Sequence, residues 1–234
     1  MEAIILAGGF GTRLQKIVND LPKSMAPVNG RPFLEYLLDY LVTQDITDVV
    51  LSVGHLRNPI MDHFGTCYRN LRIEYSIEEE PLGTGGGIRL ALWKVSGDRA
   101  ITMNGDSLFR VDLHRMMDRH LKNKANSTLA LRELKETGRY GRVTMNRSHR
   151  ILGFSEKQPG AGKGYINGGI YIIEKGFLMD PGFRGRFSIE KDCFEQCYAT
   201  SRMFGFPSEG YFLDIGIPED YQRAQDEFKQ FEIR

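Results

Sequence analysis

Leu6-Ala7-Gly8-Gly9-Phe10-Gly11-Thr12-Arg13-Leu14 decides how this chain of 234 residues is read. The apolar run 2–7 that leads into it reads as a buried strand. A glycine-rich turn straight after such a strand lets backbone N–H groups come close to phosphate oxygens. In an open α/β sheet, ligands bind at the carboxyl ends of the strands. Two familiar phosphate loops do not fit. A dinucleotide fingerprint spaced from Gly9 needs glycine where Leu14 stands. It also needs an acidic residue after the second strand, where the chain has Val53-Gly54-His55. A P-loop needs Gly-Lys followed by Ser or Thr. Here Lys23-Ser24 follows Pro22, and Gly162-Lys163 precedes Gly164.

Outward from that turn, the first half alternates. Residues 32–44 carry Phe33, Leu34, Leu37, Leu38 and Leu41 at helical spacing, with Pro32 at the start. Strands are predicted at 48–53, 71–76 and 99–103, and helices at 58–64 and 85–93. The strand at 99–103 runs into Asn104-Gly105-Asp106. Strands separated by helical segments argue for βαβ units and a parallel sheet covered on both faces. The second half is less regular. Strands are predicted at 127–132, 142–145, 151–155, 166–173, 202–206 and 211–213. Helices are predicted at 188–198, with Ser188 as N-cap, and at 218–231. No repeat, low-complexity tract or linker interrupts the chain, so one α/β domain over 1–234 is expected.

Lys and Arg number 31 against 30 Asp and Glu. A net charge of +1 gives no global attraction to nucleic acid or to an anionic membrane, so neither is expected as a partner. Cys67, Cys193 and Cys197 are too few and too odd in number for a disulfide framework. Cys193 and Cys197 are four apart and read as core packing on one helix face. No cationic start with an apolar stretch precedes the first strand, and no apolar run reaches the ~20 residues that span a bilayer. A soluble cytoplasmic protein is the expectation, and a homodimer is left open. The five histidines lack ligand spacing, and His114 and His120 read as surface residues.

After the glycine turn come Arg13 and then Pro22-Lys23-Ser24-Met25. A guanidinium fork and a compact ammonium placed around such a turn suit a polyphosphate. Asp106 and Asp214 are far apart in sequence, and each stands at the end of a short strand. Such a pair fits Mg²⁺, which takes one or two carboxylates together with substrate phosphate oxygens and water. Asp98, Asp112, Glu219 and Asp220 read as caps or solvated charges.

The segment 6–23 resembles the signature of the sugar-1-phosphate nucleotidyltransferase family in both residues and spacing. Later motifs follow in the family's order over nearly the whole chain. The resemblance implies a Rossmann-like, doubly wound mixed sheet, mostly parallel, in a three-layer α/β/α arrangement. It implies attack of a sugar 1-phosphate on the α-phosphate of a nucleoside triphosphate, with Mg²⁺ as cofactor and Asp106 and Asp214 as its ligands. Arg13 is then assigned to the leaving pyrophosphate and Lys23 to the triphosphate. Leu6, Ala7, Gly8, Gly9, Gly11, Thr12, Gly83, Thr84 and Asn104 would meet the nucleotide. Gly141, Glu156, Lys157 and Asn167 would meet the sugar phosphate. Two departures stand out: Gln158 is inserted before Pro159, and Ile217 replaces the family's frequent threonine. The Leu82-Gly83-Thr84 form resembles the guanylyl-transferring members, which favours GTP. Within the family the run is most similar to the short enzymes acting on heptose 1-phosphate, whose product feeds surface polysaccharide. Those acting on mannose 1-phosphate come next, and muramate-type uridylyltransferases third. A non-catalytic sugar-nucleotide-binding subunit is the alternative of another class. The attacking phosphate is already anionic, so no general base is expected.

Overall fold

A computed structural model describes residues 1–9, 21–155, 160 and 162–230, and β1 (Glu2–Leu6) lies in the interior of its main sheet. β1 runs parallel to β4 (Asp48–Val53) on one side and to β7 (Arg99–Asn104) on the other. β4 continues parallel to β6 (Leu71–Ile77), and β5 (Cys67–Tyr68) closes that edge antiparallel to β6. Because these four long strands are parallel, their carboxyl ends share one edge. β2 (Pro27–Val28) and β3 (Arg31–Pro32) form a separate small hairpin.

Beyond β7 the pairing becomes mixed. β12 (Gly164–Glu174) is antiparallel to β7 along its second half and antiparallel to β9 (Ser127–Leu134) on its other side. β9 takes β13 (Met203–Ser208) as a parallel neighbour. β10 (Arg142–Met145) joins the first part of β12 to the edge strand β11 (Ile151–Ser155). Among the described residues this sheet has ten strands.

Period-two alternation places helices on both faces. Ala3 and Ile5 of β1 point into one buried cluster, and Ile4 points into the other. The first cluster is covered by α1 (Phe33–Thr43), α2 (Arg57–Phe64), α4 (Leu113–Lys122) and α7 (Pro218–Glu227). The second is covered by α3 (Gly83–Ala91) and the π-helical segment Ile189–Phe194, which continues into α6 (Glu195–Cys197). A short α5 (Lys175–Leu178) follows β12. The result is the three-layer α/β/α mixed sheet that the family resemblance implies. Leu37, Leu38 and Leu41 of α1 are fully buried. Each such side chain contributes about 1.5–3 kcal/mol relative to exposure.

The structure departs from the sequence expectations in several places. α3 starts at Gly83 rather than Gly85, so Gly85, Gly86 and Gly87 lie inside a helix. A helical glycine costs about 1 kcal/mol against alanine. Here it is required by close packing: a side chain at Gly85 would run into the Phe187 ring. α4 was not anticipated, although Asp112 caps it as expected by accepting from the Arg115 backbone N–H at 2.9 Å. His120 on α4 is buried, not on the surface. It bonds Thr128 Oγ1 at 2.9 Å and Glu174 Oε1 at 3.0 Å. Ser188 caps the following segment through the Lys191 backbone N–H, and Cys193 is buried in the core.

Candidate active site

Two carboxylates meet through a strand pair too short to read from sequence. β7 ends at Asn104, Gly105 turns the chain, and β8 (Ser107–Phe109) follows Asp106. β8 pairs antiparallel with β14 (Phe212–Asp214), and the register sets Ser107 opposite Asp214. The Ile215 N–H then donates to the Asp106 carbonyl at 2.9 Å. Lys23 lies between the acids, its Nζ 2.5 Å from Asp106 Oδ2 and 3.9 Å from Asp214 Oδ1. Pro22 holds an extended backbone just before Lys23, and Ser24 Oγ ties the turn to the Ala7 carbonyl at 3.0 Å. Burial, and then the charge of Asp106, push the Asp214 carboxyl above its ordinary range, while Lys23 acts in the opposite sense.

This cluster fits a hard divalent cation. An ammonium already bridges the two acids, so the site is built for positive charge. The donors are carboxylate oxygens, which suit Mg²⁺ rather than a soft metal. Among the described residues no group of three or more His, Cys, Asp or Glu could enclose an ion. Asp106 and Asp214 would supply part of a coordination shell, with substrate and water supplying the rest.

On one side of the cluster lies a cavity of about 340 Å³. Five of its lining residues, Gly8, Gly9, Gly54, Gly83 and Gly105, are glycines and present only main chain. A Cβ on Gly8 would sit 2.7 Å from the Gly54 nitrogen, and one on Gly105 would run into the Leu6 carbonyl. Gly83 adopts φ +70°, and a Cβ there would lie 2.6 Å from the Phe187 carbonyl oxygen. Glu78, just past the end of β6, also lines the cavity. Its carboxylate accepts from Ser52 Oγ at 2.9 Å and from the Leu82 N–H at 3.1 Å. Asn104 reaches the same cavity, and its Oδ1 is buried with no partner among the described residues. Thr84 lines the cavity too. Its hydroxyl is engaged, donating to Glu190 Oε2 at 3.0 Å and accepting from the Ile189 N–H at 2.9 Å.

On the other side lies a second cavity of about 620 Å³ whose wall includes Asp214 itself. Arg132, Glu136, Arg139, Tyr140, Asp220 and Arg223 complete its polar lining. Asp220, expected as a cap or a solvated charge, is buried and gripped by two arginines. Gly141 follows Tyr140 and backs onto the Ser155 carbonyl. Asn167 stands behind the walls, its Nδ2 donating to the Tyr171 hydroxyl at 2.8 Å and its Oδ1 accepting from the Gly169 N–H at 3.0 Å. Of the residues expected at the site, Leu6, Ala7, Gly8, Gly9, Lys23, Gly83, Thr84, Asn104 and Asp106 line the first cavity, and Asp214 lines the second. Gly11, Thr12, Arg13, Glu156 and Lys157 lie outside the described residues. Glu78, Arg186, Arg139 and Asp220 were missed. Only Arg139 had a sequence cue, its place beside Tyr140-Gly141.

The family model for nucleotidyl transferases matches residues 2–230. The chain belongs to that family. This nucleotidyl transferase is 46% identical over 231 residues to the D-glycero-alpha-D-manno-heptose 1-phosphate guanylyltransferase of Aneurinibacillus thermoaerophilus, covering 99% of this chain and 100% of that one. It is 35% identical to the mannose-1-phosphate guanylyltransferase of Mycobacterium tuberculosis, covering 96% of this chain and 63% of that one. Among solved structures, HddC from Yersinia pseudotuberculosis in complex with GMP-PN superposes with a TM-score of 0.87 at 33% identity, covering 97% of this chain and 99% of that one. Asp106 lines the first of the two cavities and Asp214 the second.

Proposed function

We propose that the protein transfers the guanylyl group of GTP to D-glycero-α-D-manno-heptose 1-phosphate and releases pyrophosphate. The observation that carries the reaction type is the Asp106–Lys23–Asp214 cluster on the boundary of two cavities. Full-length identity to the Aneurinibacillus enzyme supports the substrate pair.

A phosphate oxygen of the sugar 1-phosphate forms a bond to the α-phosphorus. The bond from that phosphorus to the bridging oxygen breaks, and pyrophosphate leaves with the electron pair. No proton has to move, so the residues act by position and charge. Asp106 and Asp214 would hold Mg²⁺, whose charge offsets the repulsion between the two anions. The backbone of residues 6–9 gives the triphosphate a wall of close main chain. Lys23 exchanges its carboxylate partners for phosphate oxygens when the substrate enters. The family resemblance assigns Arg13 to the leaving pyrophosphate, Lys157 to the attacking phosphate and Glu156 to the sugar hydroxyls.

Glu78 supports the choice of base. Guanine presents adjacent N–H donors at N1 and N2, and a carboxylate only accepts. Among the described residues each Glu78 oxygen has one bond and keeps a lone pair. Uracil and thymine present carbonyls on either side of a single N–H, which that carboxylate repels. We place the product, GDP-heptose, in surface-polysaccharide assembly and the enzyme in the cytoplasm, where GTP is made. The test is pyrophosphate release with Mg²⁺ across GTP, CTP, UTP, dTTP and ATP, each paired with heptose, mannose, glucose and muramic-type 1-phosphates. Turnover confined to GTP and the heptose phosphate is expected. Preference for another pair overturns the specificity, and no turnover with any pair overturns the activity.

A further inference from the structure

The second cavity contains an arginine that is aimed but not spent. Asp220, on the first turn of α7, is only 6% exposed. Burying a carboxylate alone costs several kcal/mol, so it needs cationic partners. Its Oδ2 accepts from Arg139 Nη2 at 2.6 Å, and its Oδ1 accepts from Arg223 Nη1 at 3.2 Å. Arg223 also directs Nε and Nη2 at Glu227 Oε1, both at 3.1 Å, so most of its fork is used. Arg139 differs. Among the described residues it has one carboxylate partner, and a guanidinium carries five N–H donors. Its side chain is 55% exposed on the cavity wall. The guanidinium carbon lies 5.7 Å from the centre of the Tyr140 ring. Tyr140 packs edge-on against Phe212 at 6.2 Å, two residues before Asp214 on β14. Arg139 is thereby tied to the strand that delivers Asp214.

We infer that Arg139 holds the phosphate of the sugar 1-phosphate, and that Asp220, fixed by Arg223, is the positioning residue that aims it. This rests on the nucleotidyl-transfer reading above. The first cavity is walled for the nucleotide, so the second phosphate must approach the Asp106–Asp214 boundary from the side where Arg139 stands. A planar guanidinium matches two oxygens of a phosphate monoester at once. The buried Asp220 also keeps Arg139 from pairing with Asp214, which would occupy a carboxylate needed for the metal.

The experiment measures KM for GTP and for the sugar 1-phosphate separately in wild type, R139A, R139K and D220N, with melting temperatures as a check on folding. R139A should raise KM for the sugar phosphate about tenfold or more and leave KM for GTP within about twofold. R139K, which restores charge without the fork, should recover only part of the loss. D220N should shift the same KM in the same direction by less. If D220N does not fold, the half-exposed R139A alone decides. An unchanged KM for the sugar phosphate, or an equal rise in both constants, overturns the inference. Thermal stabilisation by mannose 1-phosphate reads the site without turnover. A shift in wild type that R139A abolishes supports the inference even if no substrate pair reacts. Equal shifts in both proteins, or none in wild type, overturn it.

Discussion

The two cavities that meet at Asp106 and Asp214 are built from different materials. The first has five glycines in its wall, and at 8, 83 and 105 a side chain would collide with neighbouring main chain. The second is walled by long side chains, among them Arg132, Arg139, Tyr140 and Arg223. A main-chain wall suits the triphosphate, which every nucleotide substrate carries. A side-chain wall can be altered one residue at a time, which suits the partner that varies between relatives. Substitutions should therefore act by different routes in the two halves.

The largest effect is expected where both halves depend on one group. D106A should lower kcat about 10³-fold or more, roughly 4 kcal/mol of barrier, with either substrate saturating. A loss under about tenfold would show that the boundary is not the reacting centre. Next comes the main-chain wall. G105A places a methyl group against the Leu6 carbonyl and should cost about 1–3 kcal/mol of stability, read as a lower melting temperature, together with a higher KM for GTP. A normal GTP constant in a stable G105A protein would break the contrast between the two walls. E78Q sharpens it from the other direction. Replacing an acceptor with a donor at one atom should reduce the preference for GTP over UTP by about tenfold, measured as a ratio of kcat/KM. An unchanged ratio would remove Glu78 from base selection.

The smallest effect concerns pH. The folded Asp214 carboxyl lies above its ordinary value, so the native state binds that proton more readily than the unfolded chain does. Its contribution is fully present below the ordinary carboxylate value and is lost as pH rises through the raised one. In metal-free protein, D214N should therefore melt slightly higher than wild type at neutral pH, with a gap that narrows on acidification. Scanning calorimetry with a chelator checks this. A gap that widens towards acid would overturn the sign. The same variant should be inactive.

Much of the parallel half was legible. The run at 48–53 is mostly apolar and β-branched because both faces of β4 are covered, 71–76 alternates because Arg72 and Glu74 face outward, and the helix at 32–44 carries its apolar stripe at the right spacing. Asp106 and Asp214 were legible as acids standing beside strand ends, and Lys23 as a cation after the glycine turn. What brings them together was not. β8 and β14 have three residues each, too short for any periodic signal. Charged and titratable residues that turned out to be buried were also opaque. Asp220 reads as a helix-start acid until Arg139, 81 positions away, is seen against it. His120 reads as an exposed helix residue until Thr128 and Glu174 are placed at its two ring nitrogens. The glycines at 85–87 suggest a loop, because the ring of Phe187 that excludes a side chain is distant in sequence.

The short pairing of β8 with β14 has a consequence for the protein's life on the ribosome. The strands whose carboxyl ends form the first cavity are all synthesised by Asn104, long before the second acid. The second acid arrives only with Asp214, on a strand that has no partner until β8 receives it. A nascent chain that stops short of β14 therefore lacks half of the acid pair. Competence comes as a late, single event, and no half-made copy can consume its substrates.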